Sequence, residues 1–115
     1  MPIDEKRVGD VAVLTVLDKA LTTGPEVALL QARVKGLMAA GVRKVVVDLS
    51  GVKWCGSAAL GALIAGLTAL RNAGGDLRLA GVTERISNVL KATGLAGIFQ
   101  VLDTVDRAVA SFKGQ

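Results

Sequence analysis

The sequence predicts an α/β fold: a mixed sheet that begins with an antiparallel hairpin and is covered by four helices. Short β-branched runs early in the chain predict strands, and later apolar strand segments alternate with segments of helical length. Because strands separated by helices pair in parallel through right-handed crossovers, only the first hairpin should be antiparallel. The predicted order is β-β-α-β-α-β-α-β-α. With 115 residues, of which 51% are hydrophobic, we expect one domain over residues 1–115.

The first elements are a hairpin and a helix. Gly9-Asp10 separates a polar edge strand from the apolar run at residues 11–17, which suits an interior strand. A helix is expected over residues 25–40, since Thr23 is a possible N-cap and a proline follows in the first turn. Gly41 supplies its stop.

The middle of the chain predicts the centre of the sheet. The run Val45-Val46-Val47 suits a strand covered on both faces, and a turn signal follows at residues 48–51. Ser57 then opens a long apolar helix to about residue 72, which Gly74-Gly75 ends before a short strand at residues 77–80. This helix should cross over between parallel strands.

The last part of the chain predicts two helices with a short strand between them. Thr83 can cap a helix that ends at Gly94, and Asp103 can cap a final helix that runs through Phe112. The apolar segment at residues 98–102 lies between them. These elements complete the predicted order.

The chain is poorly equipped for catalysis and for metal or cofactor binding. It contains no His, which is the usual general base and metal ligand, and no Walker A or Gly-x-Gly-x-x-Gly motif. A lone carboxylate at Asp48 is a poor magnesium site, and a turn-stabilising role suits it better. We therefore predict a protein that is not an enzyme and has no metal or cofactor.

Charge and composition also restrict the partners and the location. The net charge is +4, but the basic residues are scattered, and 3% aromatic residues cannot build base-stacking platforms. The charged residues 1–10 do not resemble a signal peptide, and the uncharged stretch at residues 54–70 contains three glycines that favour a buried helix. One Cys excludes an internal disulfide. We expect a cytoplasmic protein that binds neither nucleic acid nor membrane.

The segment from Asp48 to Gly61 is the most informative one. It reads Asp-Leu-Ser-Gly-Val-Lys-Trp-Cys-Gly-Ser-Ala-Ala-Leu-Gly and joins the central strand to the long helix. It resembles the STAS family of bacterial anti-sigma factor antagonists, in which Asp-Leu-Ser, a short turn and an aromatic residue precede Asp-Ser-Ser-Gly-Leu-Gly. The resemblance continues at Gly9-Asp10-Val11, Leu17-Asp18, Gly74-Gly75 and Thr93-Gly94-Leu95.

The resemblance implies a phosphorylation switch at Ser57. In that family an anti-sigma factor serine kinase binds the unphosphorylated protein and thereby frees a sigma factor; phosphorylation of the motif serine releases the complex, and a serine phosphatase resets it. The partner-binding residues would be Asp18, Trp54, Gly56, Ser57 and Ala58. Gly56 and Ala58 replace the family's Asp and second Ser. A monomer or weak dimer is expected.

The same residues are compatible with other interpretations. Ser57 could act only as an N-cap, Asp18 could be a solvated loop charge, and the chain could be a STAS subunit of another signalling assembly that works without phosphorylation. The run Trp54-Cys55-Gly56-Ser57 is also similar to thioredoxin, although its second Cys is replaced by Ala58. In the STAS interpretation, Cys55 packs as a small apolar residue beneath the turn, and Trp54 belongs to the core or to the partner surface.

Overall fold

A computed structural model describes residues 3–22 and 24–113 of the chain. Within these ranges the secondary structure follows the predicted order and contains two additional short strands. The strands are β1 (Ile3–Val8), β2 (Val11–Val16), β3 (Ala20–Leu21), β4 (Lys44–Asp48), β5 (Trp54–Cys55), β6 (Asp76–Ala80) and β7 (Val101–Leu102). The helices are α1 (Pro25–Ala39), α2 (Ser57–Asn72), α3 (Glu84–Ala92) and α4 (Val105–Ala110).

The main sheet confirms the predicted fold class. Its strand order is β1-β2-β4-β6-β7, so β1 is an edge strand and β4 is central. Only the β1–β2 pair is antiparallel, and Val8 opposite Val11 closes the hairpin around Gly9, whose φ is +62°. The parallel pairs bring the carboxyl ends of β2, β4 and β6 to one edge of the sheet.

The two strands that the sequence did not predict, β3 and β5, form a small parallel sheet. Ala20 pairs with Trp54, and Leu21 pairs with Cys55. Strands of two residues carry no periodic pattern, and their pairing depends on the tertiary fold. This small sheet joins the loop after β2 to the loop before α2, and it positions the segment that contains Ser57.

Hydrophobic residues pack on both faces of the main sheet. Along β4, Val45 and Val47 belong to a large cluster with residues of α1, α2 and α3, whereas Val46 belongs to a smaller cluster with α4. The smaller cluster consists of Val11, Val13, Val46, Ala80, Ala108 and Phe112. Burial on both faces explains why the central strand is a continuous β-branched run. None of the helices in the described ranges is long and apolar enough to cross a membrane.

The predicted helix cap agrees with the structure at α3 and differs at α4. Thr83 caps α3, since its Oγ1 accepts a hydrogen bond from the Ile86 N–H. The prediction that Asp103 caps the last helix was wrong: Thr104 occupies the N-cap, and its Oγ1 accepts from the Arg107 N–H. Asp and Thr are both N-cap formers, so neighbouring candidates are hard to separate by residue type.

The first and last helices end one and two residues before their predicted ends. Gly24 occupies the N-cap position of α1 without a side-chain cap, and the predicted cap Thr23 lies outside the described residues. The α1 helix ends at Ala39, one residue before the predicted end. The α4 helix ends at Ala110 and not at Phe112, whose aromatic ring is buried in the smaller cluster.

One arginine, Arg78 of β6, is buried under α4 with only 3% of its surface exposed. Its Nε donates to Asp76 Oδ2 at 3.0 Å, its Nη1 donates to Ser111 Oγ at 2.7 Å, and its guanidinium stacks 4.0 Å from the centroid of the Phe112 ring. Asp76 also accepts from Arg71 Nε at 2.9 Å. This network joins the C-terminal end of α4 to β6.

Candidate functional site

The turn after β4 is built around Asp48. Its Oδ1 accepts a hydrogen bond from the Ser50 N–H at 3.0 Å, which confirms the turn-stabilising role inferred for this carboxylate. Gly81, after β6, has φ +65°, and an added Cβ would lie 2.8 Å from the Ser50 Cβ. The turn is therefore packed closely against the end of the neighbouring strand.

Backbone hydrogen bonds hold the following segment against the loop after β2. The N–H groups of Lys53 and Trp54 both donate to the carbonyl of Lys19, at 2.7 and 3.1 Å, and the Gly56 N–H donates to the carbonyl of Leu21 at 3.0 Å. These bonds place the loop that contains Asp18 next to the segment before α2. Asp18 itself is half-buried.

Ser57 is the first residue of α2, and its side chain is exposed. The interpretation that Ser57 is the N-cap was wrong: Gly56, in an extended conformation, occupies that position, and no side chain caps the helix. No acidic residue lies in the first turn. The Ser57 hydroxyl therefore lies in solvent at the positive end of a 16-residue helix dipole.

Gly56 has a packing reason to lack a side chain. A Cβ at this position would lie 3.0 Å from the Thr22 carbonyl oxygen and 3.2 Å from the Thr22 Cα. Both atoms belong to the backbone that β3 holds in place, so a carboxylate here requires a shift of the loop. Close approach of two backbone segments thus explains why Gly stands where the motif has Asp.

Trp54 lies beside this turn and belongs to the surface. Its side chain is 51% exposed, and the Arg85 guanidinium, from the first turn of α3, lies 4.0 Å from the centroid of its ring. Covering the exposed half of a Trp removes roughly 100 Å² from water, worth about 2.5 kcal/mol. Of the two sequence interpretations, core or surface, the structure supports the surface.

Comparison with known proteins identifies the family. A model of the STAS domain matches residues 6–108. The chain belongs to the STAS domain family. The solved structures of other STAS proteins agree with this fold at low sequence identity. One is a provisionally assigned anti-sigma factor antagonist of Thermotoga maritima, at 24% identity and a TM-score of 0.83, covering 95% of this chain and 92% of that one.

The Bacillus cell fate determinant SpoIIAA, an anti-sigma factor antagonist, resembles this STAS domain in two states. Its phosphorylated form has 15% identity and a TM-score of 0.76 over 96% of this chain and 99% of that one. Its unphosphorylated form has 14% identity and a TM-score of 0.77 over 98% of this chain and 99% of that one. The fold described here therefore matches both states of that protein about equally well.

The STAS structure places most of the predicted site residues in one short stretch. Trp54, Gly56, Ser57 and Ala58 follow one another from β5 into α2, and the loop of Asp18 lies against them through the bonds to the Lys19 carbonyl. Arg85 was not predicted from the sequence as part of this site. It lies 31 positions from Trp54, and no local pattern in the sequence indicates that the two side chains stack.

Cys55 of this STAS domain does not have the environment of a redox thiol. It is half-buried and packs against the larger hydrophobic cluster, as the sequence analysis expected. Burial raises the pKa of its thiol above the ordinary value, because the thiolate would lose hydration. Reactive thiols have a lowered pKa, so the comparison with thioredoxin finds no support here.

We predict that Cys55 reacts slowly with thiol reagents. A raised pKa leaves less thiolate at pH 8, and burial restricts access, so the reaction with Ellman's reagent should be roughly tenfold slower than that of glutathione. In urea the rate should rise to the glutathione value, which serves as the internal control. Reaction of the folded protein at the glutathione rate, or insulin reduction above background, would revive the thioredoxin interpretation.

Proposed function

We propose that this STAS domain is an anti-sigma factor antagonist that works by phosphorylation-controlled partner switching in the bacterial cytoplasm. When Ser57 is unphosphorylated, the protein binds an anti-sigma factor serine kinase, and a sigma factor is freed for transcription. Phosphorylation of Ser57 releases the kinase, and a serine phosphatase restores the hydroxyl. The protein itself catalyses no reaction in this scheme.

The observation that carries this proposal is the exposed hydroxyl of Ser57 at the first position of α2. A kinase needs access to the oxygen, and this hydroxyl is not engaged in capping the helix. A phosphoserine carries about −1.5 to −2 charges at pH 7, which the helix N-terminus favours. The added charge therefore leaves the fold intact, and it weakens the binding of the partner.

The neighbouring residues support a docking surface around Ser57. Trp54 exposes half of its ring, Ala58 is exposed beside the serine, and Gly56 leaves the backbone before the helix without a side chain. The loop of Asp18 borders the same segment. In the proposal, these residues contact the kinase, and the small side chain of Ala58 allows its backbone to approach the hydroxyl closely.

The test is phosphorylation by the anti-sigma kinase encoded in the same genome. With ATP, we expect one phosphate per chain on Ser57, and Ser57→Ala should abolish incorporation, because the hydroxyl that accepts the phosphoryl group is gone. Mass spectrometry of the digested protein locates the site. Thr68→Ala, which removes an exposed hydroxyl of the same helix, is the matched control and should leave incorporation unchanged.

Two outcomes would contradict the phosphorylation step. A phosphate on Ser50, Thr22 or Thr23 would move the switch to another residue. No phosphate at all, with a kinase that is active on its own antagonist, would favour the second candidate: a STAS subunit of another signalling assembly that binds without phosphorylation. Gly56 is the observation that favours this candidate, since the carboxylate of the family motif is missing.

A further inference from the structure

An exposed arginine is held in place beside the Ser57 turn. Arg85 stacks on Trp54 with 4.0 Å between its guanidinium carbon and the ring centroid. Stacking fixes the plane of the guanidinium and leaves its N–H groups around the edge of that plane. Arg85 is exposed, and it forms no ion pair with any residue in the ranges 3–22 and 24–113. Its donors are therefore oriented and open to a ligand.

Two large apolar side chains are exposed on the segments that precede α2 and follow β2, and one of them, Trp54, contacts this arginine. Leu17 is 58% exposed and Trp54 is 51% exposed, the two highest values among the exposed large hydrophobic residues of the described chain. They lie on the two segments that the carbonyl of Lys19 joins. Exposed apolar residues next to an oriented arginine are typical of the central part of a protein–protein interface.

The cations of this region have no carboxylate partner within the described structure. Lys19 and Lys53 are exposed and adjacent, since the Lys53 N–H donates to the Lys19 carbonyl at 2.7 Å. Two carboxylates, Asp18 and Glu84, lie on the same segments, but neither forms an ion pair with these cations. Elsewhere, carboxylates pair with the cations Arg33, Lys44, Arg71, Arg78 and Arg107.

We propose that Leu17, Trp54 and Arg85 form an anchoring surface for an acidic segment of the protein partner. A partner carboxylate accepts two hydrogen bonds from the Arg85 guanidinium, and a neighbouring apolar side chain of that segment packs on Leu17 and Trp54. Lys19 and Lys53 attract further carboxylates and increase the rate of association. That this partner is the anti-sigma kinase rests on the proposed function.

The anchoring surface also explains how phosphorylation of Ser57 weakens partner binding in this proposal. Ser57 lies three residues after Trp54, so its phosphate adds negative charge beside the place where the acidic segment binds. Like charges at close range oppose binding, and they do so most strongly at low salt. The same acidic segment that gives affinity to the unphosphorylated protein would then be repelled by the phosphorylated one.

The test compares substitutions of two exposed cations on α3. Arg85→Gln should weaken binding of the unphosphorylated protein to the kinase at least tenfold in calorimetry, whereas Lys91→Gln should change it less than twofold. Arg85→Lys should recover only part of the affinity, since an ammonium cannot form the bidentate, stacked arrangement. Wild-type binding should weaken as salt increases, and Arg85→Gln should reduce this dependence. Equal affinities for Arg85→Gln and Lys91→Gln would overturn the inference and leave the phosphorylation switch intact.

A second measurement does not need the kinase. The probe is a blocked peptide of sequence Asp-Asp-Leu-Leu-Asp-Asp, and the readout is the indole N–H resonance of Trp54, the only Trp of the chain. The peptide should shift this resonance in the wild type and not in Arg85→Gln, and a Lys-Lys-Leu-Leu-Lys-Lys peptide should not shift it. If the wild type binds no kinase, the proposed function fails, and the peptide experiment alone then tests the anchoring surface. If the Trp54 resonance does not shift at peptide concentrations up to millimolar, the anchoring surface is overturned.

Discussion

Ser57→Asp is expected to fold like the wild type and to bind the kinase roughly a hundredfold more weakly, which corresponds to about 2.7 kcal/mol. A carboxylate at the first position of α2 is favoured by the helix dipole, and no other acidic residue of the first turn opposes it. The substitution therefore lowers the affinity for the kinase, because the added charge lies within the proposed docking surface. Calorimetry measures the affinity, and thermal unfolding checks the fold.

Two control variants distinguish the effect of the added charge on kinase binding from the effect of losing the hydroxyl. Ser57→Ala should keep the affinity within about threefold of the wild type, since an uncharged small residue adds no repulsion. Thr68→Asp places the same carboxylate on an exposed position of the same helix and should leave binding unchanged. If Ser57→Asp binds as tightly as the wild type, Ser57 does not lie in the interface.

Arg78→Met is expected to lower the free energy of unfolding by about 3 kcal/mol, a large part of the stability of a small domain. Met fills a similar volume, but it removes the hydrogen bonds to Asp76 and Ser111 and the stack on Phe112. Asp76 keeps its bond to Arg71, and Ser111 Oγ still donates to the Ala108 carbonyl at 2.6 Å. For this reason the expected loss lies at the lower end of the values for broken buried ion pairs.

Arg71→Met is the matched control, because Arg71 binds the same Asp76 from a side chain that is 47% exposed. Its loss should cost no more than about 1 kcal/mol, as for other exposed pairs. Urea unfolding measures both variants. Equal losses of unfolding free energy for Arg78→Met and Arg71→Met would show that burial under α4 does not strengthen the interaction of Arg78 with its partners.

Much of the fold follows from local signals in the sequence. The hairpin at Gly9-Asp10, the central valine run and the long apolar helix from Ser57 appear in the structure at the expected places. These features depend on residue types at neighbouring positions, which a sequence shows directly. The fold class could be predicted correctly because it depends on these local features.

The interactions that the sequence did not predict join residues far apart in the chain. Arg78 meets Ser111 across 33 positions, and Trp54 meets Arg85 across 31. A charged residue between Leu77 and Leu79, in the otherwise apolar segment at residues 77–80, was the available sign that a buried partner exists. The identity of that partner depends on how α4 crosses the sheet, which neighbouring residues do not encode.

The unequal packing of the two sheet faces implies that the domain does not open uniformly. The face under α4 is covered by a six-residue helix and a small cluster, whereas the other face is covered by the larger cluster with α1, α2 and α3. Detaching α4 leaves that larger cluster in place, so we expect backbone amides of α4 to exchange with solvent through a partial opening. Amides of β4, in the centre of the sheet, should exchange only when the whole domain unfolds.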